Sequence, residues 1–304
     1  MKKFAARLLL FTILFLLVNK GYTLLEPDSD VKEADQRLSY LLSGNMNKDV
    51  IITGASSGSA GIMAERIEDE TGLTAYNLCY LGSNVEFHEF MVRALVEFND
   101  PPKILLLVID DSIEFKTTTR VNYKEDQLYP MIKNKFVREE LVNRVGKGKL
   151  VSDLVVFFRS CNFNVDRKLK RFDNYLPYLE CGSRPIPVSF HKGGIDWAAF
   201  SNSNQYSRDD EAPGKLSAYQ HILSICHDHG IIPVVVMPPI YPAGGDAFQN
   251  RVRQAGGDGV HFFIYDKENP IYSNSDYYYD NVHLRRNGAD IFTNEIIRFI
   301  VTLQ

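Results

Sequence analysis

The sequence predicts an α/β domain of three layers, a parallel β-sheet held between two layers of helices. Three observations carry that expectation. Residues 103–109, K-I-L-L-L-V-I, are almost continuously apolar, as a strand buried on both faces must be. From about residue 49, short β-branched runs alternate with segments of helical spacing, the rhythm of βαβ units. The 304 residues are 45% hydrophobic and 24% charged, ordinary globular usage and enough for a substantial core.

The first segment stands apart. Lys2, Lys3 and Arg7 precede an uncharged run over residues 8–18, the pattern of an export signal. The run is short against the roughly 20 apolar residues of a full span. Residues 1–25 therefore read as either a cleaved signal peptide or an N-terminal membrane anchor. Basic residues before the run favour a cytoplasmic N-terminus and an extracytoplasmic bulk, in periplasm or at the cell surface. Residues 26–304 are expected to form a single domain. A formal charge of -4 without a long basic face argues against nucleic acid as a partner.

Residues 50–53 form the first expected strand, and 59–70 the first helix. A second strand is expected over 75–80 and an amphipathic helix over 85–98, with Phe87, Phe90, Met91, Ala94 and Leu95 on one side. The strand over 103–109 follows. Between 112 and 212 the rhythm breaks, with helical stretches near 136–144 and 151–159, a basic segment at 166–171 and an aromatic-rich tail containing Trp197. About a hundred residues is too long for an ordinary connection. This insertion is expected to be either a lid or substrate wall over the strand ends, or a pad over one sheet edge. A helix over 215–229, strands over 231–237 and 260–265 and a helix over 288–303 complete the domain. Cys161 and Cys181 flank a polar stretch and can pair in an oxidising compartment. Cys79 and Cys226, in apolar context, read as unpaired buried thiols. His227-Asp228-His229 looks metal-like, but it ends a helical pattern before Gly230 and reads as a solvated terminus. No metal or organic cofactor is expected.

Chemistry is expected at residues 50–61, V-I-I-T-G-A-S-S-G-S-A-G, where a strand runs into a Gly-bracketed turn. In an open parallel sheet, ligands bind outside the carboxyl ends of the strands. Asp280-Asn281-Val282-His283, between the last strand and the last helix, belongs to the same rim. A serine hydroxyl needs a neighbouring base. Histidine suits that task, and a carboxylate fixes its tautomer. Ser56 is the expected nucleophile, His283 the base and Asp280 the orienting carboxylate. The backbone N–H groups of Ser56 and Gly82 are the expected oxyanion donors.

The residue order resembles the SGNH (GDSL-like) hydrolase superfamily. Gly54-Ala55-Ser56 stands where that family has G-D-S, Y-N-L-C-Y-L-G-S-N at 76–84 looks like its second block with Gly82 as the oxyanion glycine, and D-N-V-H-L-R-R-N-G from Asp280 is similar to its last block. The likeness covers most of 49–303 outside the insertion. It implies a flavodoxin-like sheet. It is nearest to an exported, membrane-anchored branch serving teichoic acid D-alanylation and exopolysaccharide O-acetylation. The implied partners are an acylated glycan or cell-envelope polymer, the membrane and other envelope-assembly proteins. The family's third block, G-x-N-D, supplies an oxyanion asparagine, whereas this chain reads V-I-D-D at 108–111. An ionised aspartate cannot donate a hydrogen bond, so Asn84 is the expected stand-in.

The expected function is a serine-dependent acyl-ester hydrolase or acyltransferase. A non-catalytic scaffold or binding subunit of an envelope assembly is the alternative. T-G-A-S-S-G-S-A-G at 53–61 also looks like the nucleotide loop of short-chain dehydrogenases. Ala60 replaces its third glycine, however, and no acid ends the second strand to hold a ribose.

Overall fold

A computed structural model describes residues 2–25, 36–151, 178–190, 206–242 and 246–304. The helix expected beyond residue 151, the basic segment 166–171, Cys161 and Trp197 lie outside the described residues. The chain divides into two compact units, Met1–Gln36 and Arg37–Gln304.

The first unit holds α1 (Lys2–Leu25). The Thr12 hydroxyl is satisfied within the helix by Leu8 O at 2.9 Å. Leu8, Leu9, Leu10, Phe11, Leu14 and Phe15 are exposed. Among the described residues, no helix is long and apolar enough to cross a membrane.

The second unit is a three-layer α/β/α domain. Its elements are α2 (Arg37–Leu42), β1 (Val50–Thr53), α3 (Ser56–Gly61), α4 (Ala64–Thr71), β2 (Ala75–Asn77), α5 (Val85–Phe98), β3 (Ile104–Val108), α6 (Glu125–Leu128), α7 (Lys135–Val145), α8 (Pro213–Asp228), β4 (Ile232–Met237), α9 (Asp246–Gly256), β5 (His261–Ile264) and α10 (Arg286–Val301). All five strands are parallel, in the order β2-β1-β3-β4-β5, the flavodoxin-like arrangement. The apolar runs explain the layering. Ile51, Leu105, Leu107 and Val235 pack under α5 and α8. Their neighbours Val50, Ile52, Leu106, Val108, Val234 and Val236 pack on the opposite face, under α4 and α10. Successive strand residues point to opposite faces, so both faces are apolar only because every position is.

Three expectations need correction. The helix expected over 59–70 is two helices, and the first begins at Ser56. Ile62 and Met63 are extended between them. Side chains from elsewhere satisfy the break: Asn77 Nδ2 donates to Gly58 O and Ile62 O, and Met63 N donates to Thr293 Oγ1. The strand expected over 75–80 stops at Asn77, although Leu78 N and Tyr80 N still donate to Ile52 O and Gly54 O. Helices α2 and α9 fall in stretches left without an assigned element.

The insertion divides between its two expected roles. Its early part packs on α5, with Tyr123 edge-on to Phe87 and Phe136 beside Phe90. Its later part, 178–190, is tied to the rim of the sheet. Arg184 N donates to Ser59 O, and Arg286 N donates to Ile186 O. Cys79, Cys181 and Cys226 are free thiols, Cys79 and Cys226 being buried. His227 is exposed at the end of α8 beside Asp228.

Candidate active site

In this strand order the switch point lies between β1 and β3, and ligands bind in the crevice it opens. Ser56 follows β1 into that crevice and Asp110 follows β3.

The nucleophile turn is shaped by close approach of backbone to sheet. Gly54 has φ 155°, and a Cβ there would meet Val108 Cβ at 2.7 Å and Val108 O at 2.9 Å. Ser56 is then the first residue of α3, and its hydroxyl faces the rim. Ser57 points inward. It is buried near the Asp110 carboxyl without making a hydrogen bond of normal geometry. The glycines that suggested a nucleotide loop face the protein itself. At Gly58 a Cβ would meet Cys79 Sγ at 2.5 Å, leaving no approach for a pyrophosphate.

Ser56 Oγ lies 2.6 Å from His283 Nε2. On its other side, His283 Nδ1 is 2.8 and 2.7 Å from the two oxygens of Asp280. Asp280 Oδ1 also accepts from the N–H groups of Val282 and His283, at 3.0 and 2.9 Å. Burial pushes the Asp280 carboxyl up, but the His283 hydrogen bond and charge, with the two backbone donors, hold it below its ordinary value. The carboxylate is therefore ionised near neutrality. It accepts from Nδ1–H, which leaves Nε2 as the acceptor for the Ser56 hydroxyl. The loop is clamped by Asn281, whose Nδ2 donates to Tyr241 O at 2.8 Å, while Tyr241 N donates to Asn281 O at 2.8 Å.

Opposite this loop, Gly82 sits at a left-handed turn, φ 64°. Tyr80 N donates to Gly54 O at 2.9 Å and ties that turn to the nucleophile turn. His88, which the sequence reading passed over, supports it from beneath. His88 Nε2 is 2.8 Å from Ser83 Oγ, and Ser83 donates to Tyr80 O at 2.6 Å. Burial lowers the His88 pKa to about 3, so this imidazole is neutral. The Asn84 side chain is engaged at the start of α5. Its Oδ1 caps α5 by accepting from Phe87 N, and its Nδ2 donates to Glu86. The helix needs that acceptor because its first N–H groups have no partner within the helix.

Asp110 and Asp111 end β3. Asp111 caps the short turn that follows, accepting from Ile113 N at 2.6 Å. Burial, then the charge of Asp110, raise its pKa to about 6, against the N–H of Ile113 and the charges of Arg120 and Lys116. Burial also raises Asp110, opposed by Ser57 and by the charge of His283.

Ser56 and His283 open into a cleft of about 230 Å³. Leu81, Ile186 and Phe190 give it apolar walls, and Arg184 brings a cation to its edge. Ile186, Phe190 and Arg184 come from the insertion, and only their place in the fold identifies them. No protein-family model matches the chain, and no curated protein matches it significantly.

Proposed function

We propose that this protein is a serine-dependent acyl-ester hydrolase or acyltransferase working through Ser56, His283 and Asp280. One observation carries the reading: a hydroxyl and an imidazole separated by 227 residues lie 2.6 Å apart, with the imidazole's other nitrogen on an ionised carboxylate. In the proposed reaction, Ser56 Oγ attacks the ester carbonyl while His283 Nε2 takes its proton. The carbonyl electron pair moves to oxygen and then returns, expelling the alcohol, which takes the proton back from His283. A water or an acceptor hydroxyl, deprotonated by His283, releases the acyl group in the same way. The N–H groups of Ser56 and Gly82 are the proposed backbone donors to the oxyanion.

The likeness of the residue pattern to SGNH hydrolases supports a cell-envelope or extracellular glycan as substrate. The basic start and apolar run of residues 1–25 support export, with tethering through that segment. A fluorophosphonate probe tests the chemistry. Wild type should be labelled at Ser56, and Ser56→Ala and His283→Ala should not. A folded wild type that stays unlabelled overturns the proposal.

A further inference from the structure

A buried imidazole stands behind the cleft and takes no part in the triad. His88, near the start of α5, is 1% exposed, and Ser83 is fully buried beside it. His88 Nε2 is 2.8 Å from Ser83 Oγ. The Ser83 hydroxyl has one proton, which goes to Tyr80 O at 2.6 Å, and it lies 3.4 Å from Gly54 O. Carbonyl oxygens only accept. The contact with His88 must therefore run from Nε2–H to the Ser83 oxygen, which fixes the tautomer. Nδ1 then carries the lone pair, and it is buried without a partner among the described residues.

The hydroxyl that His88 holds lies between two turns. Gly54 leads into Ser56, and Tyr80 leads into Leu81 and Gly82. Tyr80 N donates to Gly54 O at 2.9 Å, and Ser83 N closes the second turn on Tyr80 O at 3.2 Å. From the insertion, Asn122 N donates to Gly82 O at 3.0 Å. Leu81 lines the cleft together with Ser56 and His283. The Gly82 N–H donates to no group among the described residues. The turn is thus fixed on both sides, and its one unengaged donor is the proposed oxyanion donor.

Filling space does not call for an imidazole here. An apolar side chain would occupy the site without burying an unpaired nitrogen, which opposes folding. Resting on the acyl-enzyme reading above, we propose that His88 and Ser83 are a positioning pair, in which Nε2–H holds the hydroxyl between the Gly54 and Tyr80 carbonyls and so sets the spacing between Ser56 and the Gly82 N–H. Neither side chain touches substrate or exchanges a proton. His88 acts through Ser83, and Ser83 acts through the turn.

A misplacement of about 1 Å can cost about 10²-fold in rate. His88→Leu and Ser83→Ala should each lower kcat for a probe ester by about 10–10²-fold, with KM little changed. His88→Gln still offers an N–H to Ser83 and should recover most of the loss. The double variant should be no slower than the slower single, because the pair acts as one unit. The low-field proton of His283 Nδ1–H should persist in NMR spectra of every variant, which places the loss outside the Asp280–His283 pair. Thermal melts check folding. Where His88→Leu fails to fold, Ser83→Ala and His88→Gln carry the comparison. Unchanged kcat in Ser83→Ala, a loss confined to KM, or no recovery in His88→Gln overturns the positioning role, while wild type labelled at Ser56 keeps the acyl-enzyme reading. A folded but unlabelled wild type sinks both.

Discussion

Two aspartates feel the charge of one imidazole, and the fold surrounds them differently. Asp280 accepts from two backbone N–H groups and from His283 Nδ1, and these donors overcome burial and keep it ionised. Asp110 accepts from Asp111 N at 3.0 Å, and its burial raises its pKa against Ser57, the charge of His283 and the nearby backbone donors. Residue type is the same; the balance of desolvation against hydrogen-bond donors and neighbouring charge sets the direction of each shift.

The sharpest way to break this comparison is to remove the ionised member. Asp280→Asn keeps the shape but lets the amide favour the wrong tautomer of His283. It should lower kcat for a probe ester by about 10⁴-fold. A loss under tenfold in steady-state turnover would mean that the carboxylate does not orient the base.

Removing charge from the raised side should have the reverse sign, and on stability. Asp111 is 3% exposed and titrates near 6 in the fold against an ordinary 3.8. Its native form binds the extra proton between those values, so its full contribution is present below 3.8 and is lost as pH rises through about 6. Asp111→Asn, which can still accept from Ile113 N, should stabilise the protein at pH 8 by up to about 3 kcal/mol. Denaturant melts should show that gain vanish at pH 4. A gain that persists there would contradict burial of the charge as its cause.

The close packing behind the Ser56 turn can be tested through Gly58→Ala. The added methyl meets Cys79 Sγ and Val108, and overpacking should cost about 1–3 kcal/mol in thermal melts. The smallest effect is expected at Asn84. Asn84→Ala removes a helix cap and should cost about 1 kcal/mol, with probe labelling of Ser56 slowed no more than about threefold. A loss near 10²-fold would restore Asn84 to the oxyanion site.

Local pattern was enough for much of this. Continuous apolar runs required a sheet covered on both faces, and alternation of strands with helices required it to be parallel. Parallel strands put every carboxyl end on one rim, so Ser56, Asp280 and His283 could be brought together on paper from positions far apart in the chain. The tertiary structure alone decided what depends on distant partners. The break at Ile62–Met63 exists because Asn77 and Thr293 satisfy the freed backbone groups. Asn84 is a cap because α5 begins at the next residue, and Arg184, Ile186 and Phe190 reach the cleft from a part of the insertion with no periodic pattern. The upward shift of Asp110 was not legible, because its proton affinity is set by burial and tertiary neighbours and not by its place in the chain.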